Sequence, residues 1–198
     1  MLIFFEAIHF YISLAALAIV LIGLWMLGRS HSYLFFCAVF GIYFIGVVSV
    51  VVFPVYIPQS SVELNRGVQL NLVPFQFGRC DFLFLCLRNI YENILLTVPF
   101  GFGISLIARL KQKNILWLAF LIGFIFEAIQ LVVSLAIQSS FRVVDINDVL
   151  LNAIGTLLGY GLFRVFGWLY LGFTQRFNVN HKYLLAYVHS VVRQSTDS

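Results

Sequence analysis

Five separate stretches of about 20 almost uncharged apolar residues, at about 7–28, 33–57, 89–108, 114–137 and 147–167, restrict this fold more than any other feature. Backbone placed in hydrocarbon must satisfy its own N–H and C=O groups, which leaves helices or closed barrels. The stretches lack the alternation of apolar and polar residues that barrel strands carry, so they point to helices. The expected class is all-α: a polytopic membrane helix bundle of about five transmembrane helices. Composition agrees, with 62% hydrophobic and only 10% charged residues, against about 45–50% and about 25% in soluble domains. A single membrane domain over residues 1–198 is the simplest organisation, with no internal repeat and no nucleic-acid partner. The opening "MLIFFEAIHF" has no basic residue and carries Glu6, so it reads as a retained first span rather than a cleaved signal.

Basic residues set the expected orientation. The short loop "ARLKQK" supplies Arg109, Lys111 and Lys113 and is placed in the cytoplasm; Arg29, Arg164, Arg176, Lys182 and Arg193 then fall on the same side. Six of the eight acidic residues (Glu6, Glu63, Asp81, Glu92, Asp145 and Asp148) fall on the other. The predicted localisation is a multi-pass cell-membrane protein with its N-terminus outside and its C-terminus cytoplasmic. The tail, about 174–198, includes "HKYLLAYVHSVVRQ", whose apolar positions share one helical face. That face suits either the anionic inner leaflet or the loops of the bundle.

The polar residues inside the spans are not scattered. Glu127, Gln130, Ser134 and Gln138 share one face of the fourth span. Asn89, Asn93, Thr97, Gly101 and Ser105 repeat every fourth residue on the third. Asp145, Asp148, Asn152, Gly155 or Thr156, and Gly159 stripe the fifth. Such faces belong inside a bundle. On the predicted topology they form a polar pocket opening outward, with Glu127 near its floor and Arg142 at its mouth. A guanidinium there can hold a carboxylate or phosphate through two parallel hydrogen bonds. The alternative is that the same residues pin helices together. Glu127, lacking a cation on its own face, is predicted to be a protonated donor to an amide such as Asn93 or Asn152.

Other signals are local. Pro99 in "TVPFGFG" predicts a kink in the third span, and Gly155 with Gly159 predicts close helix packing. Arg88 and Glu92 read as an interfacial ion pair, and Glu6 with His9 as an interfacial anchor. The segment "NRGVQLNLVPFQFGRCDFLFLC" is too apolar for a solvated loop. It predicts a re-entrant or interfacial segment between the second and third spans, with Asp81 as an N-cap. Cys37, Cys80 and Cys86 form no metal motif, and pairing of Cys80 with Cys86 stays open.

The motifs "NLVPF" (71–75), "ENILLTVPFGFGISL" (92–106), "GFIFEAIQL" (123–131) and "RVVDINDVLLNAIGTLLGY" (142–160) resemble the VanZ-like family of small membrane proteins. The likeness covers about residues 65–162. Laid on this chain, the family pattern falls on Asn71, Pro74, Phe75, Asn93, Pro99 and Gly101, then on Glu127, Gln130, Arg142, Asp145, Asp148, Asn152 and Gly155. It adds Asn71 to the candidate ligand-binding set of Asn93, Glu127, Gln130, Arg142, Asp145, Asp148 and Asn152. The founding member's association with low-level teicoplanin resistance points to the cell envelope.

Three functions stay open on these residues. One is binding or remodelling of an envelope lipid or lipid-linked cell-wall precursor, lowering susceptibility to lipoglycopeptides such as teicoplanin. A second is an intramembrane enzyme acting on a lipid headgroup, with Glu127, Asp145 and Asp148 as acid and base or as holders of a divalent cation. No nucleophile motif accompanies them. A third is a structural or assembly subunit gripping another membrane protein or a second copy. No cofactor and no resident metal is predicted.

Overall fold

The computed structural model describes residues 2–56, 69–76, 83–108, 110–137, 143–177, 179 and 181–196. Among them, six helices and four two-residue strands follow in the order β1 (Leu2–Ile3), α1 (Ala7–Met26), α2 (His31–Val51), β2 (Val55–Tyr56), β3 (Leu70–Asn71), α3 (Leu83–Ile107), α4 (Gln112–Ala136), β4 (Val144–Asp145), α5 (Ile146–Arg176) and α6 (Leu184–Thr196). Helices α1 to α5 are long and apolar enough to cross a membrane. The chain is an all-α polytopic bundle.

Three helix limits depart from the apolar stretches, the first being the start of α3 at Leu83, ahead of the expected 89. Helix α2 ends at Val51, and Val55–Tyr56 instead pairs antiparallel with Leu2–Ile3, so the chain turns back to the N-terminus before the apolar run is finished. Helix α5 continues to Arg176, 31 residues or roughly 46 Å, well past the predicted end near 167. Its extra turns are covered by α6, whose Val192 is completely buried beside Phe163 and Leu106. The tail helix therefore packs on the bundle. Tyr187 Oη donates to the Leu106 carbonyl at 2.6 Å, and Arg164 donates to the Ser195 carbonyl.

The centre of the bundle is the contact between α3 and α5, built on absent side chains. A Cβ at Gly155 would collide with the Ile94 carbonyl, one at Gly159 with that of Val98, and one at Gly101 with that of Thr156. The two helices are therefore in backbone contact, which is what a small-xxx-small stripe permits. An apolar cluster of Val47, Val51, Phe100, Ile122 and Phe126 joins α2, α3 and α4. Helix α3 runs through Pro99. Tyr43 Oη from α2 donates at 2.5 Å to the Leu96 carbonyl, in the turn whose ladder the proline weakens. Helix α1 buries none of its residues and presents Ile8, Ile12, Ile19 and Trp25 outward. At its start the Glu6 N–H donates to His9 Nδ1, and the ring packs against Phe5 and Phe53.

Candidate functional site

The site is assembled at the N-terminus of α5. Asp145 is the N-cap: its Oδ1 accepts from the Asn147 N–H at 2.8 Å, taking one of the donors a helix start leaves unpaired. The backbone just before the cap is extended and pairs in parallel with the "NLVPF" segment, Leu70 opposite Val144 and Asn71 opposite Asp145. The other Asp145 oxygen, Oδ2, accepts from Asn71 Nδ2 at 3.0 Å. Asn71 closes its own turn as well, donating to the Gln76 carbonyl at 2.8 Å and accepting from the Val73 N–H at 3.3 Å.

Asn147 completes this junction. Its Oδ1 accepts from the Phe75 N–H at 2.6 Å, and its Nδ2 donates to the Gln76 carbonyl at 3.0 Å and to Asp145 Oδ1 at 2.8 Å. It is 1% exposed. These bonds hold Phe75 in the left-handed region at φ 64, a conformation a bulky residue adopts only when its surroundings enforce it.

Glu127 meets this junction from α4. Its Oε2 accepts from the Asp145 N–H at 2.9 Å, and the residue is 4% exposed. Nine residues of α4 continue beyond it, roughly 14 Å. The start of α5 and the Val144–Asp145 strand thus lie beside α4, whereas the Leu70–Gln76 segment that pairs with them keeps an exposed outer face, with Leu70, Leu72, Val73 and Phe75 all exposed. Glu127 is an acceptor of a backbone N–H here through Oε2. A carboxylate is well suited to that position, since it faces the positive end of α5.

Above the junction lies a cleft of about 360 Å³ between α2, α3, α4 and the start of α5. Asn89, Glu92, Asn93, Gln130, Asp145 and Asp148 give it polar walls, and Val50, Val51, Leu96 and Val143 supply the apolar remainder. Asn89 Nδ2 donates to Asp148 Oδ1 at 3.2 Å, and Asn93 Nδ2 to the Asn89 carbonyl at 3.2 Å. Glu92 accepts from Arg88 Nε at 2.7 Å in the predicted ion pair, with both side chains about half exposed. Beneath the cleft, Asn152 is 1% exposed and donates to the Asp148 carbonyl at 2.8 Å. Its own backbone carbonyl collects the hydroxyls of Thr97 and Thr156, at 2.8 and 3.0 Å. Its Oδ1 has no hydrogen-bond partner among the described residues.

Of the sequence-derived candidates, Asn93, Gln130, Asp145 and Asp148 come together on the cleft. Asn71 and Glu127 stand behind it, both bonded to Asp145, and Asn152 lies below, between α3 and α5. Arg142 lies outside the described residues, as do Gln138, Cys80 and Asp81. Glu92 joins the lining in addition to its ion pair. Asn147 was not among the candidates; the signal for it is the Asp-x-Asn spacing at the start of an amphipathic run, which places a second amide beside an N-cap. Chemically the described lining is carboxylates and amides. It can accept hydrogen bonds from hydroxyl and ammonium groups and donate from the amides. No group of three or more His, Cys, Asp or Glu side chains is poised to hold a metal among the described residues.

A family model described as VanZ/LLP1 matches residues 40–167, a range that contains every element of the cleft and its junction. No curated protein and no solved structure matches the chain.

Proposed function

The chain belongs to the VanZ/LLP1 family, and from that premise we propose that it is a membrane protein that binds the polar headgroup of an envelope lipid or lipid-linked cell-wall precursor. The observation that carries this reading is the convergence of Asn89, Asn93, Gln130, Asp145 and Asp148 on one 360 Å³ cleft between helices whose outward faces carry many large apolar side chains. Carboxylates and amides in that arrangement suit the hydroxyl, amide and amine groups of a glycosylated headgroup. Arg142, adjacent in sequence to the cleft residue Val143, is the candidate partner for its phosphate. The N-terminus is outside and the C-terminus cytoplasmic, so the cleft faces the outer leaflet. Sequestering or remodelling a surface precursor there lowers susceptibility to lipoglycopeptides such as teicoplanin.

The test is mass spectrometry of the lipids retained by the purified chain and by Asp148→Asn, with thermal unfolding of both. Asp148 receives the Asn89 amide at the cleft wall, so the variant keeps shape and one acceptor oxygen while removing charge. Retention of a glycosylated lipid by the parent, reduced about tenfold in a normally folded variant, supports the reading. Chemical turnover of that lipid, lost in Asp148→Asn, transfers the assignment to an enzyme using Asp145 and Asp148 with Glu127. Absence of lipid, together with a co-purifying membrane protein, transfers it to an assembly subunit.

A further inference from the structure

A second and larger cavity, about 770 Å³, lies at the opposite end of the bundle. Its walls come from the α1–α2 turn, the C-terminal end of α3 and the loop after it, the middle of α5, and one face of α6. Among the described residues two cations line it, Arg29 and Lys111, together with the hydroxyls of Ser105, Tyr160 and Ser190. No acidic side chain is among its described lining residues. The Arg29 guanidinium lies 5.5 Å from the Tyr33 ring centre, which orients it without neutralising it. Ser105 Oγ is buried and has no hydrogen-bond partner among the described residues. A buried hydroxyl in that state lacks the bond that normally offsets its desolvation. The floor is apolar, formed by Leu106 and the fully buried Phe163.

We propose that this cavity is a binding site for the phosphate of an anionic bilayer lipid, held by Arg29 and Lys111 and closed on one side by α6. Phosphate oxygens match two converging cations and a ring of hydroxyls. The apolar floor receives the glycerol and the first methylenes of the chain. Helix α6 makes the fourth wall because it is held there by the buried Val192 and by the Tyr187–Leu106 and Arg164–Ser195 bonds, so occupancy and docking of the tail reinforce each other. This site shares no residue with the acid–amide cleft, and neither inference depends on the other.

The test uses the full chain in dodecyl maltoside micelles with phosphatidylglycerol or phosphatidylcholine, the bound fraction being read by native mass spectrometry. The parent retains phosphatidylglycerol in preference to phosphatidylcholine. The double variant Arg29→Gln, Lys111→Gln loses about tenfold or more of its apparent affinity for phosphatidylglycerol. Lys182→Gln, which removes an exposed cation outside the cavity, keeps the parent's value. Equal retention of the two lipids, or an equal loss in Lys182→Gln, overturns the proposal. Displacement of the lipid by millimolar inorganic phosphate overturns the lipid assignment, because the apolar floor would then contribute nothing. If the double variant fails to fold, the swap Arg29→Lys with Lys111→Arg decides. It keeps both charges and retains the preference for phosphatidylglycerol; losing that preference overturns the proposal.

Discussion

Replacing Glu127 separates two roles that a buried carboxylate can play. In the structure its Oε2 accepts the Asp145 N–H at 2.9 Å, and Asp145 in turn caps α5 and holds Asn71. Glu127→Ala leaves that N–H without its acceptor, which costs about 1–3 kcal/mol. It also deletes one methylene from a site only 4% exposed, adding about 0.8 kcal/mol before any cavity term. The expected destabilisation is about 2–4 kcal/mol. Glu127→Gln keeps an oxygen in the same place and the same volume; weakening a charge-assisted bond to a neutral one costs about 1 kcal/mol. Thermal unfolding of the full chain in micelles ranks the variants, and amide exchange at Asp145 reports on the bond itself. The expected order is parent, then Gln close behind, then Ala well below, with fast exchange at Asp145 in Ala alone. If Gln unfolds as early as Ala, an oxygen acceptor is not what Glu127 supplies. Its charge would then be required, as the enzyme reading demands.

Three further outcomes follow from the packing and the charges. Gly159→Ala drives a Cβ into the Val98 carbonyl and is expected to lose about 1–3 kcal/mol, whereas Gly161→Ala, with nothing within 4 Å of its Cβ, is neutral or gains up to about 1 kcal/mol; equal thermal shifts for the two would contradict the backbone contact. The His189 imidazole in α6 titrates below its ordinary 6.5 through desolvation first, then the nearby His181 and Arg193 charges. A lowered folded-state value means the undocked tail binds more protons, so docking of α6 is strongest above about 6.5 and weakens as pH falls towards the folded value. Amide exchange in α6 should therefore speed up on acidification, by less in His189→Gln; equal acceleration in both would remove His189 as the cause. Single cysteines at Ser60 and Ser139, introduced into a Cys-free chain, should react with an impermeant external reagent while those at Gln112 and Ser195 do not, and labelling of Gln112 would invert the topology.

Much of the bundle was legible because helices advertise their faces by period. The stripes on α3 and α5 place Asn89 and Asn93 opposite Asp148, where the Asn89–Asp148 bond forms, and the glycines among them mark the backbone contact. Helix ends were less legible. Nothing in an apolar run announces that Val55–Tyr56 will pair with the N-terminus, or that α5 will run on to Arg176 against a tail helix. The position of the α5 start beside α4 was hidden for a related reason, since two-residue strands are too short to show any alternation.

The site's central connections escaped periodicity altogether. A helical wheel groups Asp145 with Asp148 and Asn152, yet Asp145 is a cap in extended backbone, bonded to Asn71 across 74 residues of sequence. The Glu127 bond to Asp145 leaves no pattern to find, because the donor there is a main-chain N–H. Asn147 sits off every stripe and nevertheless ties the "NLVPF" turn to α5. Three short motifs that are weak separately ("NLVPF", "FEAIQ" and "DIND") thus meet at one residue, Asp145, through its N–H and its two carboxylate oxygens. That convergence gives Asn71 a part in shaping the cleft although it does not line it. Removing Asn71 would free the rim segment that fixes Asp145, so the cleft would lose its shape before it lost any lining group.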